Sequence, residues 1–259
     1  MVPHPDVLAC PQTHGPLQSL DDALLGPAGA RYLITDGLID FCPDITSRPG
    51  LAQRAMESPG VARIYEGRFR PALTRLVGGP SYAAESDYLW RHLGPPGGVV
   101  LDLACGTGRY TRMLAERLGA DRVIGLDLSG AMLAHARAES PGLSFVRGSA
   151  QALPIRTGSL AAVVSFGALH LFPDPAAALT EVGRVLEPGG RFVCLTAHAP
   201  DAGAVRVLQD RVGGAIRLRF LPRSVIEAGL SGGGVSLVDL TATGMMALLC
   251  GEKVPEATS

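Results

Sequence analysis

The chain has 259 residues, 47% hydrophobic and 18% charged, with 33 glycines; this is a globular composition and excludes a disordered or fibrous chain. A net charge of -1, from 23 Lys+Arg against 24 Asp+Glu, supplies no basic stripe for a phosphate backbone, and 5% aromatic residues argue against a base-stacking platform, so nucleic acid is a disfavoured partner. The start MVPHPDVLAC has no charged segment leading an apolar one, no run reaches the roughly 18 apolar residues of a membrane span, and five scattered cysteines form no disulfide framework, so the reading is a cytoplasmic protein with no membrane partner.

Residues 1–50 predict a small β-rich unit. Tyr32 and Ile34 on one side and Leu38, Ile39 and Phe41 on the other flank Asp36-Gly37, the strongest short hairpin signal. Cys10 and His14 lie at a metal-like spacing, but a structural zinc site needs a second pair downstream and only Cys42 follows, so no metal is expected. Residues 51–95 predict a helical lid, with Val61, Ile64 and Tyr65, then Leu73, Leu76 and Val77, at three- and four-residue spacing. Gly78-Gly79-Pro80 breaks it into two helices. Its aromatic residues Tyr65, Phe69, Tyr82, Tyr88 and Trp90 would make a wall suited to an apolar small molecule, with core packing as the alternative.

The breaker Gly94-Pro95-Pro96-Gly97-Gly98 leads into a main domain, 96–259. There apolar runs alternate with amphipathic stretches: strand 99–103, helix 110–118, strand 123–126, helix 131–138, strands 143–146 and 160–166, helix 175–186, strand 192–196. That order specifies βαβ units and a mainly parallel sheet covered by helices on both faces. A helix at 223–228, a flexible loop at 229–234 and two antiparallel strands at 235–241 and 245–250 would close it.

The chemistry concentrates where Val99-Val100-Leu101-Asp102-Leu103 turns through Ala104-Cys105-Gly106-Thr107-Gly108-Arg109 into a helix. Glycines there let a backbone approach a nucleotide-like ligand. A glycine turn alone also describes dinucleotide-binding oxidoreductases, but the third small residue of that pattern would fall on Thr111. Asp102 would repel a pyrophosphate and favour a cation, and Asp127, ending the next strand, can accept hydrogen bonds from ribose hydroxyls. The structural alternative is that both acids serve as helix caps.

Four motifs carry a resemblance: Asp102 to Gly108; Gly125-Leu126-Asp127-Leu128-Ser129 with Met132-Leu133; Ala152-Leu153-Pro154; and Arg184-Val185-Leu186-Glu187-Pro188-Gly189-Gly190. In this order they resemble the motifs of class I methyltransferases, above all the ubiquinone/menaquinone type and a plastid group with a small N-terminal domain. The resemblance implies a Rossmann-like α/β fold, with seven strands, mostly parallel, and an antiparallel C-terminal strand, and S-adenosylmethionine as cofactor. It implies that Asp102, Ala104, Gly106, Thr107 and Gly108 line the methionine end, Asp127 the ribose, Leu128 and Met132 the adenine face, and Ser149, Ala150 and Gln151 the adenine edge, where many members carry an acid at the position of Ser149. Phe166 and Gly167 would close the pocket beside the reactive methyl, and Tyr65 would fold over the cofactor carboxylate. Residues Leu8-Ala9-Cys10-Pro11 with Gly15-Pro16-Leu17 resemble the zinc-ribbon-like domain of bacterial rRNA guanine-N1 methyltransferases, with Thr13 where a second cysteine stands and the metal lost.

His170, after the fourth main-domain strand, faces the expected cleft and is the candidate general base or substrate-orienting group; His198 is the second candidate. The leading reading is methylation of a small-molecule acceptor. Methylation of an rRNA guanine, or S-adenosylmethionine binding without transfer, are the alternatives. The oligomeric state stays open, a homodimer included.

Overall fold

The computed structural model describes residues 4–42, 70–199, 209 and 219–255. Tyr65 and Phe69, with the expected lid helix over 51–69, lie outside the described residues.

The N-terminal unit is a run of antiparallel strands, β1 (Gln18–Ser19), β2 (Ala23–Leu25), β3 (Arg31–Thr35) and β4 (Leu38–Asp40). Asp36 and Gly37 connect the last two with φ of 52° and 79°, the paired left-handed conformation a two-residue hairpin turn requires. Two helices follow, α1 (Arg70–Leu76) and α2 (Tyr82–Leu93), separated at Gly78-Gly79-Pro80 as the spacing predicts. The Ser81 hydroxyl caps α2 by accepting from Ala84 N–H.

The alternating part gives β5 (Val100–Leu103), α3 (Arg109–Leu118), β6 (Val123–Asp127), α4 (Gly130–Glu139), β7 (Ser144–Arg147), β8 (Leu160–Phe166), α5 (Pro175–Val185) and β9 (Leu186–Ala199). After it come a two-residue strand β10 (Leu221–Pro222) beside β9, α6 (Arg223–Gly232), β11 (Val235–Thr243) and β12 (Met246–Lys253). The main strands run β7-β6-β5-β8-β9-β12-β11, all parallel except β12, which is antiparallel to both its neighbours. This is the seven-stranded Rossmann-like sheet expected. The N-terminal unit prolongs it, because β4 pairs in parallel with β7 through Ile39–Val146 and Asp40–Arg147.

The central strands read as near-continuous apolar runs because helices cover both faces. Alternate residues serve the two sides. Leu101, Leu103, Ile124 and Val163 share one buried cluster with Leu179 and Val182 of α5 and Ile226 and Leu230 of α6. Val100, Val123 and Val164 belong to a second buried cluster, with Leu89 and Leu93 of α2 and Leu114 of α3. Each such side chain, fully buried, contributes roughly 1.5–3 kcal/mol.

α6 departs from expectation. The glycines at 229–234 suggest a flexible loop, yet the helix continues to Gly232. A Cβ on Gly229 would meet Leu179 Cδ1 at 2.6 Å, so these glycines permit close contact between α6 and α5 instead of ending the helix. β9 is also longer than its apolar core. It begins at Leu186, bulges through Glu187-Pro188-Gly189-Gly190, and resumes pairing with β8 at Arg191. A Cβ on Gly190 would lie 2.8 Å from the Glu187 carbonyl, which is why the turn needs a glycine there.

Candidate active site

The loops at the carboxyl ends of β5, β6, β7 and β8 meet at one end of the sheet, where ligands bind in open α/β folds. The turn after β5 holds Ala104, Gly106 and Gly108 at φ of 57°, 55° and 79°. Gly108 starts α3, and a Cβ there would lie 3.1 Å from Ala136 Cβ and 3.2 Å from Phe145 Cζ, so its smallness lets the helix sit on the sheet. At Gly106 a Cβ would meet nothing within 4 Å. That backbone is open to a ligand. Thr107 between them is buried, and its carbonyl accepts from Arg112 Nη1 at 2.8 Å.

Asp102 is 2% exposed and accepts the Thr111 hydroxyl at 2.6 Å, together with the Thr111 backbone N–H. Burial pushes its carboxyl up to about 7. Asp127 lies partly exposed. Its Oδ2 accepts from Gly106 N–H and its Oδ1 from Ser129 N–H, both at 2.8 Å. Burial raises this carboxyl too, against the backbone N–H groups that favour its charge. The helix-cap alternative is partly realised: Asp102 serves the first turn of α3, but Ser129, not Asp127, caps α4 by accepting from Met132 N–H.

The Leu128 carbonyl accepts from Arg147 Nε at 3.0 Å, and Met132 is a buried residue of the first turn of α4. Ser149, Ala150 and Gln151 form a tight, partly exposed turn in which Ser149 Oγ accepts from Gln151 N–H at 3.2 Å. Phe166 stacks on Tyr110, centroids 4.3 Å apart, and Gly167 follows at φ 88°. The structure thus brings Asp102, Ala104, Gly106, Thr107, Gly108, Asp127 and Leu128 together around one turn, with Phe166 and Gly167 on the neighbouring strand.

His170 is buried. Its Nδ1 accepts from Ala197 N–H at 3.1 Å, which leaves the ring proton on Nε2, and burial, helped by Arg70, lowers its pKa to about 4. His198 Nδ1 pairs with the Leu221 carbonyl at 2.9 Å and so ties β9 to β10.

Several residues here escaped the sequence reading. Arg70 is buried against Gly167, its Nε 3.5 Å from where a Cβ on that glycine would stand, and it forms a bidentate pair with fully buried Glu85 at 3.2 and 2.9 Å. Tyr110 hydroxyl donates to the same carboxylate. No local pattern marks this cluster, because Arg70 and Glu85 lie on different helices. Of the expected aromatic wall, Tyr82 lies under Arg70 and Arg109. Tyr88 packs in the core and donates to Asp239, and Trp90 packs under Arg117 at the far end of α3, so for these two the core-packing alternative holds.

Residues 100–190 match the family described as a methyltransferase domain. The demethylmenaquinone methyltransferase of Thermus thermophilus is 38% identical over 181 residues, covering 60% of this chain and 82% of that one. The chain belongs to the class I S-adenosylmethionine-dependent methyltransferases. Another member of this class, the demethylmenaquinone methyltransferase of Lactococcus lactis, is 42% identical over 107 residues, 39% of this chain and 42% of its own. Class I chains of this kind also align by structure. An S-adenosylmethionine-dependent methyltransferase from Mesorhizobium loti superposes with a TM-score of 0.56 at 26% identity, over 66% of this chain and 98% of that one. The present methyltransferase-family chain spans about half the length of several curated relatives it matches. Among its described residues no helix is long and apolar enough to cross a membrane.

Proposed function

We infer that this protein transfers a methyl group from S-adenosylmethionine to a small-molecule acceptor by in-line displacement. The observation that carries the reading is an open backbone at Gly106 beside two carboxyls, Asp102 and Asp127, on the adjacent strands β5 and β6, the second of which accepts the Gly106 N–H. Such a set suits a cationic nucleoside and opposes an anionic dinucleotide.

In this reading Asp102, Ala104, Gly106, Thr107 and Gly108 would hold the methionine end, Asp127 the ribose, and Leu128, Met132 and the turn at Ser149, Ala150 and Gln151 the adenine. S-adenosylmethionine would supply a methyl carried on a sulfonium, which needs alignment more than acid–base assistance. The chain's part is positioning. Phe166, stacked on Tyr110, and Gly167 form the wall beside the acceptor, and Arg70 and Glu85 behind them keep that wall fixed. The His170 Nδ1 lone pair is engaged by Ala197 N–H, so the ring would orient an acceptor oxygen or nitrogen by donating from Nε2 rather than by taking a proton.

Relatives named for demethylmenaquinone and for 2-phytyl-1,4-naphtoquinone support an apolar aromatic acceptor. Incubating the protein with S-adenosylmethionine and a panel of hydroquinones, naphthoquinols and phenols tests this by mass spectrometry. A product one methylene heavier, with S-adenosylhomocysteine formed in equal amount, supports the reading. Cofactor binding with no methylated product across the panel would favour an adenosyl-binding protein that does not transfer the group.

A further inference from the structure

The N-terminal unit touches the main domain along one side of the cofactor loops. β4 pairs with β7, Phe41 N–H donates to the Arg147 carbonyl at 2.9 Å, Ala9 N–H to Pro154 at 3.0 Å, and Arg156 N–H to Val7 at 2.8 Å. The seam therefore runs along β7 and the turn that follows it.

Arg147 stands at its centre. Nη1 donates to Asp40 Oδ2 at 2.7 Å, across the seam, while Nε donates to the Leu128 carbonyl at 3.0 Å. Leu128 immediately follows Asp127. On the next turn the Ser149 N–H faces the sulfur of buried Cys42. Both loops expected around the adenosine half of the pocket are thus held by groups whose partners come from residues 40–42.

We propose that Arg147, oriented by Asp40, is a positioning residue for the adenosine subsite, and that the N-terminal unit through it sets the affinity for the cofactor. This rests on the reading of the pocket as an S-adenosylmethionine site. A planar guanidinium can satisfy a carboxylate and a carbonyl at once from a fixed fork, whereas a lysine ammonium reaches the carboxylate as a point charge and cannot reproduce both angles. Without the Nε–H bond the Leu128 carbonyl loses its restraint, and the Asp127 corner must be ordered when ligand arrives.

Calorimetric titration of S-adenosylhomocysteine and of methylthioadenosine, which lacks the amino-acid end, into wild type, Arg147→Lys, Asp40→Asn and the double variant tests this, with thermal unfolding of each in parallel. Arg147→Lys and Asp40→Asn should each weaken both ligands about fivefold to tenfold, as expected for losing one charge-assisted bond at a partly exposed site. The Arg147→Lys melting temperature should stay near wild type, and the double variant should bind no worse than the weaker single, since both act through one contact. Wild-type affinity in Arg147→Lys would overturn the proposal whether or not its melting temperature falls. If wild type binds neither ligand, the pocket reading falls and this inference with it; if wild type binds and Arg147→Lys binds equally, only this inference falls.

Discussion

The Asp127 carboxylate accepts the Gly106 backbone N–H at 2.8 Å, so the acid ending β6 holds the glycine turn that follows β5. Its other oxygen holds Ser129 N–H, and one side chain fixes two loops. Asp127→Asn removes the charge and turns one acceptor into a donor facing an N–H. Unfolding in the absence of ligand should show a loss of about 1–3 kcal/mol. An unchanged melting temperature would mean that these bonds do not organise the turn.

Gly106 and Gly108 differ in what surrounds them, and their alanine variants should fail differently. Gly108→Ala presses a methyl against Ala136 and Phe145 and should destabilise the fold by about 1–3 kcal/mol. Gly106→Ala meets no protein atom and bears only the backbone strain of φ 55°, about 1 kcal/mol, yet its methyl occupies the open side of the turn and should abolish adenosyl binding. Calorimetry and thermal unfolding of the two variants separate the roles.

Burial of the Asp102 carboxyl makes stability and binding respond to pH in opposite directions. With a folded pKa of about 7 against 3.8 when exposed, the folded state holds the extra proton between those values, so this group's contribution to stability falls as pH rises from 4 to 7. Asp102→Asn should therefore stabilise the free protein at pH 8, by up to a few kcal/mol at about 1.4 kcal/mol per pKa unit. A cationic ligand needs the ionised acid. Affinity for S-adenosylmethionine should improve as pH rises through 7, with proton release visible in buffers of different ionisation enthalpy, and Asp102→Asn should remove that dependence.

His170 gives the opposite stability slope. Its pKa is 6.5 when exposed and about 4 when folded, so the unfolded chain binds the extra proton and stability is lost as pH falls from 6.5 towards 4. His170→Asn supplies an acceptor for Ala197 N–H but no Nε2–H. It should remove that acid-sensitive component while lowering turnover about tenfold, in keeping with one lost orienting hydrogen bond. Full turnover in this variant would take His170 out of the mechanism.

Arg70 and Glu85 form a buried pair, and breaking it should cost more than removing it. Arg70→Met leaves the Glu85 carboxylate buried, with Tyr110 as its remaining partner among the described contacts, and should destabilise by about 3–5 kcal/mol, while Arg70→Met with Glu85→Leu should recover much of the loss. Denaturant unfolding of the single and double variants measures the difference.

The order of strands and helices was legible from periodicity because both faces of the sheet are covered, and the short length of the apolar runs at 100–103 and 160–166, with the glycine turns beside them, favoured buried strands. The hairpin at Asp36-Gly37 was legible because only a few residue types take two left-handed positions in succession. The main-chain part of the site could be read for the same reason, since a glycine turn with an acid before it is a local pattern. What could not be read depends on contacts distant in sequence. The glycines of α6 signal flexibility until Leu179 is placed against them. Arg70 with Glu85, Thr111 with Asp102, and Arg147 between Asp40 and Leu128 are unremarkable charges and hydroxyls until the sheet brings them together.

The central claim is that the turn at Gly106 and Asp127 binds an adenosyl cofactor. Titrating S-adenosylmethionine, S-adenosylhomocysteine and NADH into the wild-type protein and into Asp127→Ala tests it most directly. Micromolar binding of the two adenosyl ligands, none of NADH, and at least about a tenfold loss in the variant, the equivalent of 1.4 kcal/mol, is the predicted result. Absence of adenosyl binding to the wild type, or binding indifferent to the loss of Asp127, would contradict it.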